Sequence, residues 1–152
     1  MEIINTNNES NFEYTRNLSR DRKVLNGFNK LSEAILFECI SDNDYEVQDI
    51  LFKNPITADL YINYPLSVVV KETITFNSLH SLIKAIRETY RKIYKEEEKS
   101  MTKIKSSKRL YNRGKSNGKY GIWGHSIYDL VIESIRILEG DPNPIVEVGI
   151  GS

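Results

Sequence analysis

The chain has 152 residues, of which 39% are hydrophobic and 28% are charged. This length and composition predict one folded domain and exclude a mostly disordered chain. Basic and acidic residues number 21 each, which disfavours a protein that holds nucleic acid through its overall charge. The bases are nevertheless concentrated in one stretch, so the local charge is more informative than the net charge.

The only cysteine, Cys39, excludes an internal disulfide and cannot build a zinc site by itself. The first twelve residues lack the basic region and apolar run of a signal peptide. The longest apolar run is also too short to cross a bilayer. We therefore expect a cytoplasmic protein without a membrane partner.

The N-terminal segment is the least regular part of the pattern. Residues 1–16 are polar and Asn-rich without periodicity, and they predict a loose lead-in. Residues 19–40 have helical spacing, with Ser19 available as the N-cap, although residues 34–40 also suit a strand. The apolar positions of this helix would be Val24, Phe28, Leu31 and Ile35.

A β-hairpin and a long helix follow. Residues 60–63 and 67–76, separated by a Tyr-Pro turn, predict the two strands, because the second run is rich in β-branched residues. Asn77 or Ser78 then caps a helix over residues 79–95, and residues 96–99 predict its solvated end. The apolar stripe of this helix is Leu79, Leu82, Ile83, Ile86, Tyr90, Ile93 and Tyr94.

Residues 130–138 and 145–150 alternate in polarity and flank a Gly/Pro-rich connection, which predicts a C-terminal β-hairpin. The predicted fold class is therefore α+β. Its order is an N-terminal helix, a β-hairpin, a long amphipathic helix, a basic loop and the C-terminal hairpin, all in a single domain over residues 1–152.

The basic loop is the strongest candidate for a binding site. Residues 103–119 contain seven Lys or Arg residues and no acid. A solvated loop is one interpretation and a phosphate-binding role is the other. Arg109 and Arg113 are the preferred phosphate ligands, because a guanidinium holds phosphate oxygens bidentately and the two lie four residues apart. We add Lys119 as a third phosphate ligand.

An aromatic, glycine-rich turn follows the loop. Trp123 either fills the core or, together with Tyr120, stacks on a base, and both roles are compatible. His125 and Asp129 are four residues apart and could hydrogen-bond each other, contact a ligand, or act as a base and its partner. His80, the other histidine, lies near the stripe of the long helix and is interpreted as a structural residue.

The sequence contains none of the common catalytic motifs. The glycines do not have the spacing of a Walker-type or dinucleotide-binding loop, and no G-x-S-x-G motif is present. Two histidines and one cysteine leave little material for a metal centre. We therefore predict a protein that is not an enzyme and needs no cofactor.

The C-terminal half resembles a group of small, mostly uncharacterised bacteriophage and Firmicute proteins. The resemblance rests on the string Tyr-Gly-Ile-Trp-Gly-His-x-Ile-x-Asp-Leu at residues 120–130, the strand-to-helix segment from residue 74 to 94, and the end of the chain at residues 148–152. The group carries no activity to transfer to this chain. A phage origin would imply the cytoplasm of the host cell.

Small phage proteins often counter host defence, and the cationic–aromatic loop is similar to what immune-signal sponges such as the Thoeris anti-defence proteins require. This resemblance implies a homo-oligomer that binds and sequesters a phosphate-bearing nucleotide signal without cleaving it. Two alternatives remain. The basic loop could inhibit an acidic host defence protein, or the chain could be a nucleic-acid-binding accessory protein.

Overall fold

The computed structural model describes residues 1–6, 8–102 and 114–152. The strands are β1 (Glu2–Ile4), β2 (Glu38–Cys39), β3 (Leu51–Ile62), β4 (Val69–Ser78), β5 (Val131–Leu138) and β6 (Ile145–Gly151). The helices are α1 (Asn11–Ser19), α2 (Asn29–Glu33) and α3 (Leu79–Ser100), and Ile127–Asp129 form a 3-10 turn. The predicted α+β class is confirmed.

The six strands form one mixed sheet with the order β1-β4-β3-β6-β5-β2. The β3–β4 and β5–β6 pairs are antiparallel, so both predicted hairpins are confirmed. The hairpins are joined by the parallel pair β3–β6, in which Leu60 lies opposite Val146. The short strands β1 and β2 pair antiparallel with β4 and β5 and form the two edges.

Helix α3 covers one face of the sheet. All seven residues of its predicted stripe are buried, and they pack against alternate side chains of the central strands, including Leu60, Val70 and Ile135. Ser78 is the N-cap, as predicted: its Oγ accepts the Ser81 N–H at 3.0 Å, and Ser81 Oγ accepts the Ser78 N–H at 2.9 Å. The helix ends five residues beyond the predicted boundary, at Ser100.

The boundaries predicted for the N-terminal elements are wrong, although this part of the chain does contain helices. Residues 1–16 contain β1 and most of α1, which is capped by Ser10. Residues 19–40 do not form one helix, because Gly27 has φ +94°, outside the helical region. Leu31 is buried whereas Ile35 is 96% exposed, so the apparent stripe does not share a face. The alternative strand at residues 34–40 is confirmed in part by β2.

The basic loop predicted between the long helix and the C-terminal hairpin falls mostly outside the described residues. Of its seven bases, Lys115 and Lys119 lie within them. Among the described residues, no helix is both long enough and apolar enough to cross a membrane.

Candidate functional site

Residues 114–125, named here the aromatic turn, fold back on themselves beside the end of α3. Lys115 and Trp123 form an antiparallel bridge. The Ser116 N–H donates to the Ile122 carbonyl at 2.8 Å, and the Gly124 N–H donates to the Gly114 carbonyl at 3.0 Å. The bridge places the side chains of Lys115 and Trp123 on the same side of the turn.

Glu97 holds this turn against the helix. Its side chain is fully buried, and its carboxylate accepts the N–H of Gly118 at 2.9 Å and of Tyr120 at 2.6 Å, as well as the Ser116 hydroxyl. The prediction that residues 96–99 form a solvated helix end is therefore wrong at Glu97. Gly118 is required here, because a Cβ on it would lie 2.6 Å from the Glu97 carboxyl carbon.

Tyr120 is a core residue rather than an open stacking surface. Its ring is 1% exposed, and its hydroxyl donates to Glu96. Burial, followed by this hydrogen bond, raises the pKa of Tyr120. The same bond is the main reason that the pKa of Glu96 is lowered. The neighbouring Lys119 has its Nζ 3.7 Å from Glu96 Oε2 and 5.4 Å from the centre of the Tyr120 ring.

Trp123 is the exposed aromatic residue of the turn. The interpretation that it fills the core is wrong, because 54% of its surface is exposed, whereas the adjacent Ile122 is buried and fills that position. Lys115 Nζ lies 5.7 Å from the centre of the indole ring, within reach of a cation–π interaction. The backbone N–H of Trp123 donates to the Pro65 carbonyl at 2.8 Å, which fixes the backbone at this point.

His125 lies at a junction of polar side chains. Its Nδ1 is 3.8 Å from Asp129 Oδ2, and its Nε2 is 3.3 Å from Ser152 Oγ. Ser152 Oγ is 2.7 Å from the Tyr64 hydroxyl, and the centres of the Tyr64 and His125 rings are 5.9 Å apart. Asp129 is oriented by the Ser126 N–H, which donates to its Oδ2 at 3.0 Å. The structure therefore brings His125 and Asp129 together as the sequence predicted.

A groove of about 590 Å³ begins at Tyr64 and runs between α1 and the face of the sheet opposite α3. Its lining combines aromatic and aliphatic side chains with nearly as many polar and charged ones, so it could hold a ligand that has both apolar and polar parts. Arg136 lies in its floor, where Nε and Nη2 both donate to Glu147 Oε1, at 2.8 and 2.6 Å. Asn63 holds α1 in place by donating to Thr15 Oγ1 at 2.8 Å.

Groove and aromatic turn meet at consecutive residues. Tyr64 lines the groove, and Pro65, the next residue, accepts the hydrogen bond from Trp123. On the other side of the turn, the Ser67 hydroxyl donates to the Gly121 carbonyl at 2.7 Å. The groove and the aromatic turn are therefore connected through residues 64–67, although Lys115, Trp123, His125 and Asp129 do not line the groove itself.

The predicted site residues are distributed unevenly around the aromatic turn. His125 and Asp129 lie together, and Trp123 lies beside Lys115. Lys119 and Tyr120 lie beside Glu96 on the α3 side of the turn. Arg109 and Arg113 lie outside the described residues. Sequence reasoning missed Tyr64 and the anchoring role of Glu97, because their partners are distant in the chain. Lys115 was counted among the seven bases of the loop but was not singled out as a site residue.

His80, which the sequence predicted to be a structural residue, makes contacts that hold the fold together. Its Nε2 lies 2.7 Å from the Val47 carbonyl oxygen, and its ring stacks on Tyr45 with centres 3.9 Å apart. Within the described residues, no group of three or more His, Cys, Asp or Glu side chains is arranged to hold a metal ion.

No protein-family model, curated protein or solved structure matches the chain.

Proposed function

We propose that this protein is a non-enzymatic, homo-oligomeric binder of a phosphate-bearing nucleotide, of the phage anti-defence type that sequesters a host signal. The pairing of Lys115 with Trp123 carries the proposal. An indole that is half exposed beside an ammonium group offers a face for a base and a charge for a phosphate. The phage origin and the anti-defence role remain predictions from the sequence, based on the small size of the chain and its cationic–aromatic loop.

The groove supplies the second part of a nucleotide site. The base would stack on Trp123, and His125 with Asp129 would hydrogen-bond a ring or ribose hydroxyl at the Tyr64 end. The backbone of Trp123 is held by its hydrogen bond to Pro65, and His125 lies against Asp129. Little further ordering of these residues is therefore needed when a ligand binds. The roles of Arg109, Arg113 and Lys119 as additional phosphate ligands remain predictions from the sequence, and the burial of Tyr120 leaves stacking to Trp123.

The first test is native mass spectrometry of the protein purified from bacteria that carry nucleotide-based defence. A retained mass of a few hundred daltons per site would support sequestration and identify the ligand class. In parallel, ADP, adenosine and inorganic phosphate are titrated by calorimetry. We expect ADP to bind more tightly than either fragment, because only ADP engages both the indole and the cation.

The W123A variant tests the role of the exposed indole, on which the proposal depends. Loss of a stacked base costs about 1–3 kcal/mol, so we expect the affinity for ADP to fall roughly 5- to 150-fold. Tyr128 is also exposed, at 73%, and lies outside the aromatic turn, which makes Y128A the matched control. A protein that retains no small molecule and binds none of the three probes would contradict the proposed function, as would equal effects of W123A and Y128A.

A further inference from the structure

The sheet edge formed by β2 is unusually apolar. The segment 35–40 runs antiparallel to β5: the Leu36 N–H donates to Glu133 and the Ile40 N–H to Leu130, both at 3.0 Å. Alternate residues point inward, and Leu36, Glu38 and Ile40 are buried. The outward residues Ile35 and Phe37 are 96% and 65% exposed. Two large apolar side chains therefore stand side by side on a free edge.

The backbone of this edge is also unpaired. In an antiparallel ladder, successive residues direct their N–H and C=O groups to opposite sides. Leu36 faces β5, so Ile35 and Phe37 direct their groups away from the sheet. Within the part of the chain that the structure describes, none of these four groups has a hydrogen-bond partner. They form a short template for another strand.

The template is anchored at its C-terminal end. Glu38, directly after it, is fully buried and accepts the N–H groups of Glu46 and Val47 at 2.9 and 2.7 Å. It also pairs with Arg87 Nη2 at 3.1 Å. A strand held in this way loses little freedom when a second strand pairs with it, which favours association.

The opposite edge of the sheet is protected by charge, and this edge is not. On β1, Glu2 lies opposite Lys71, and their charged groups are 3.8 Å apart. Edge strands normally carry such charges as a defence against pairing. The outward face of residues 35–37 carries none.

We propose that residues 35–37 pair antiparallel with the same residues of a second copy of the chain. A two-fold axis at Leu36 places Ile35 of each copy opposite Phe37 of the other. This register joins all four free backbone groups of one copy to those of the other. It also forms two aliphatic–aromatic cross-strand pairs on the exposed face.

A second copy is the favoured occupant because the segment is complementary to itself in this register, in both backbone groups and side chains. The contact involves few residues and falls below the roughly 1,200 Å² of a standard stable interface. We therefore expect a weak dimer that dissociates on dilution. The pairing specifies a surface for the homo-oligomer and so rests on that part of the proposed function, while ligand binding is measured separately.

Sedimentation velocity over a wide concentration range tests the pairing with two charged variants. I35K and F37E are each expected to be monomeric, because an unpaired charge would face an apolar partner. An equimolar mixture of the two variants is expected to form a heterodimer. The introduced lysine of one copy then lies opposite the introduced glutamate of the other, and the unchanged Phe37 and Ile35 lie opposite each other. Both positions are exposed, so circular dichroism should show unchanged folding.

A wild-type protein that is monomeric at every concentration would overturn the pairing. So would a dimer that either variant leaves intact, or a mixture that stays monomeric. ADP calorimetry separates the two proposals. If the monomeric variants still bind ADP, the pairing and the ligand site are independent of each other. If the wild-type protein forms the dimer but does not bind ADP, only the proposed ligand is contradicted.

Discussion

The Glu97 carboxylate, near the end of α3, accepts the backbone N–H of Tyr120 at 2.6 Å across twenty-three residues of sequence. The bond joins the longest helix directly to the aromatic turn. Because two backbone donors and one hydroxyl converge on this single buried side chain, Glu97 determines where Lys115 and Trp123 lie.

The E97A variant should therefore lose both stability and the structure of the turn. Each buried donor left without a partner costs about 1–3 kcal/mol, so we expect the free energy of unfolding in urea to fall by at least about 2 kcal/mol. Trp123 is the only tryptophan, and its fluorescence should change as the turn loosens. The neighbouring Glu98 is exposed, and E98A should change neither property; equal losses would contradict the anchoring role.

Stability should also depend on the ionisation of Glu96. The hydrogen bond from Tyr120, assisted by Lys119, lowers the pKa of Glu96 below its ordinary value of 4.5. The carboxylate therefore stabilises the fold above about pH 4.5, and this contribution is lost as the pH falls through the lowered value. In urea unfolding, the advantage of the wild type over E96Q should shrink in that acidic range. A constant difference between neutral and acidic pH would contradict this, and E98Q provides the control.

Glu38 and Arg87 form a buried ion pair, and removing one partner should be severe. Their side chains are 0% and 2% exposed, and Arg87 Nε also donates to the Cys39 carbonyl at 2.9 Å. E38A leaves a buried guanidinium without its counter-ion, which costs about 3–5 kcal/mol. Thermal unfolding should show a large loss for E38A and little change for E33A, because Glu33 is exposed. A loss of equal size in both would contradict the prediction.

Lys115 should act on the phosphate rather than on the base. The K115M variant keeps an apolar side chain beside Trp123 but removes the ammonium group. We expect weaker binding of ADP in calorimetry and unchanged binding of adenosine, with K95M as the control on the exposed face of α3. An equal loss for both ligands would show that Lys115 only orders the turn.

Local sequence pattern predicted α3 and both hairpins because each has a strong periodicity and clear end signals. The stripe of α3 coincides with its buried face, and Ser78 is its cap. The pattern failed over residues 19–40, where the positive φ of Gly27 breaks a spacing that otherwise suits a helix. A run of four apolar residues at helical intervals is weak evidence when a glycine interrupts it.

The site was predictable only in part. Charge and aromatic content located the aromatic turn, and the four-residue spacing of His125 and Asp129 predicted their contact. The burial of Glu97 and the groove beside Tyr64 depend on partners far away in the chain, which no local pattern reveals. Glu97 in particular lies in a run of charges that normally marks a solvated surface.

The position of β6 has a consequence for the order of folding during synthesis. β6 lies between β3 and β5, yet it leaves the ribosome after both. Before it emerges, the pairings of the folded sheet are available only within two separate groups of strands, β1-β4-β3 and β5-β2, because β6 alone pairs with both groups. Because β6 completes the sheet, we expect cooperative folding to wait until this strand has emerged, with the groove forming in the same step.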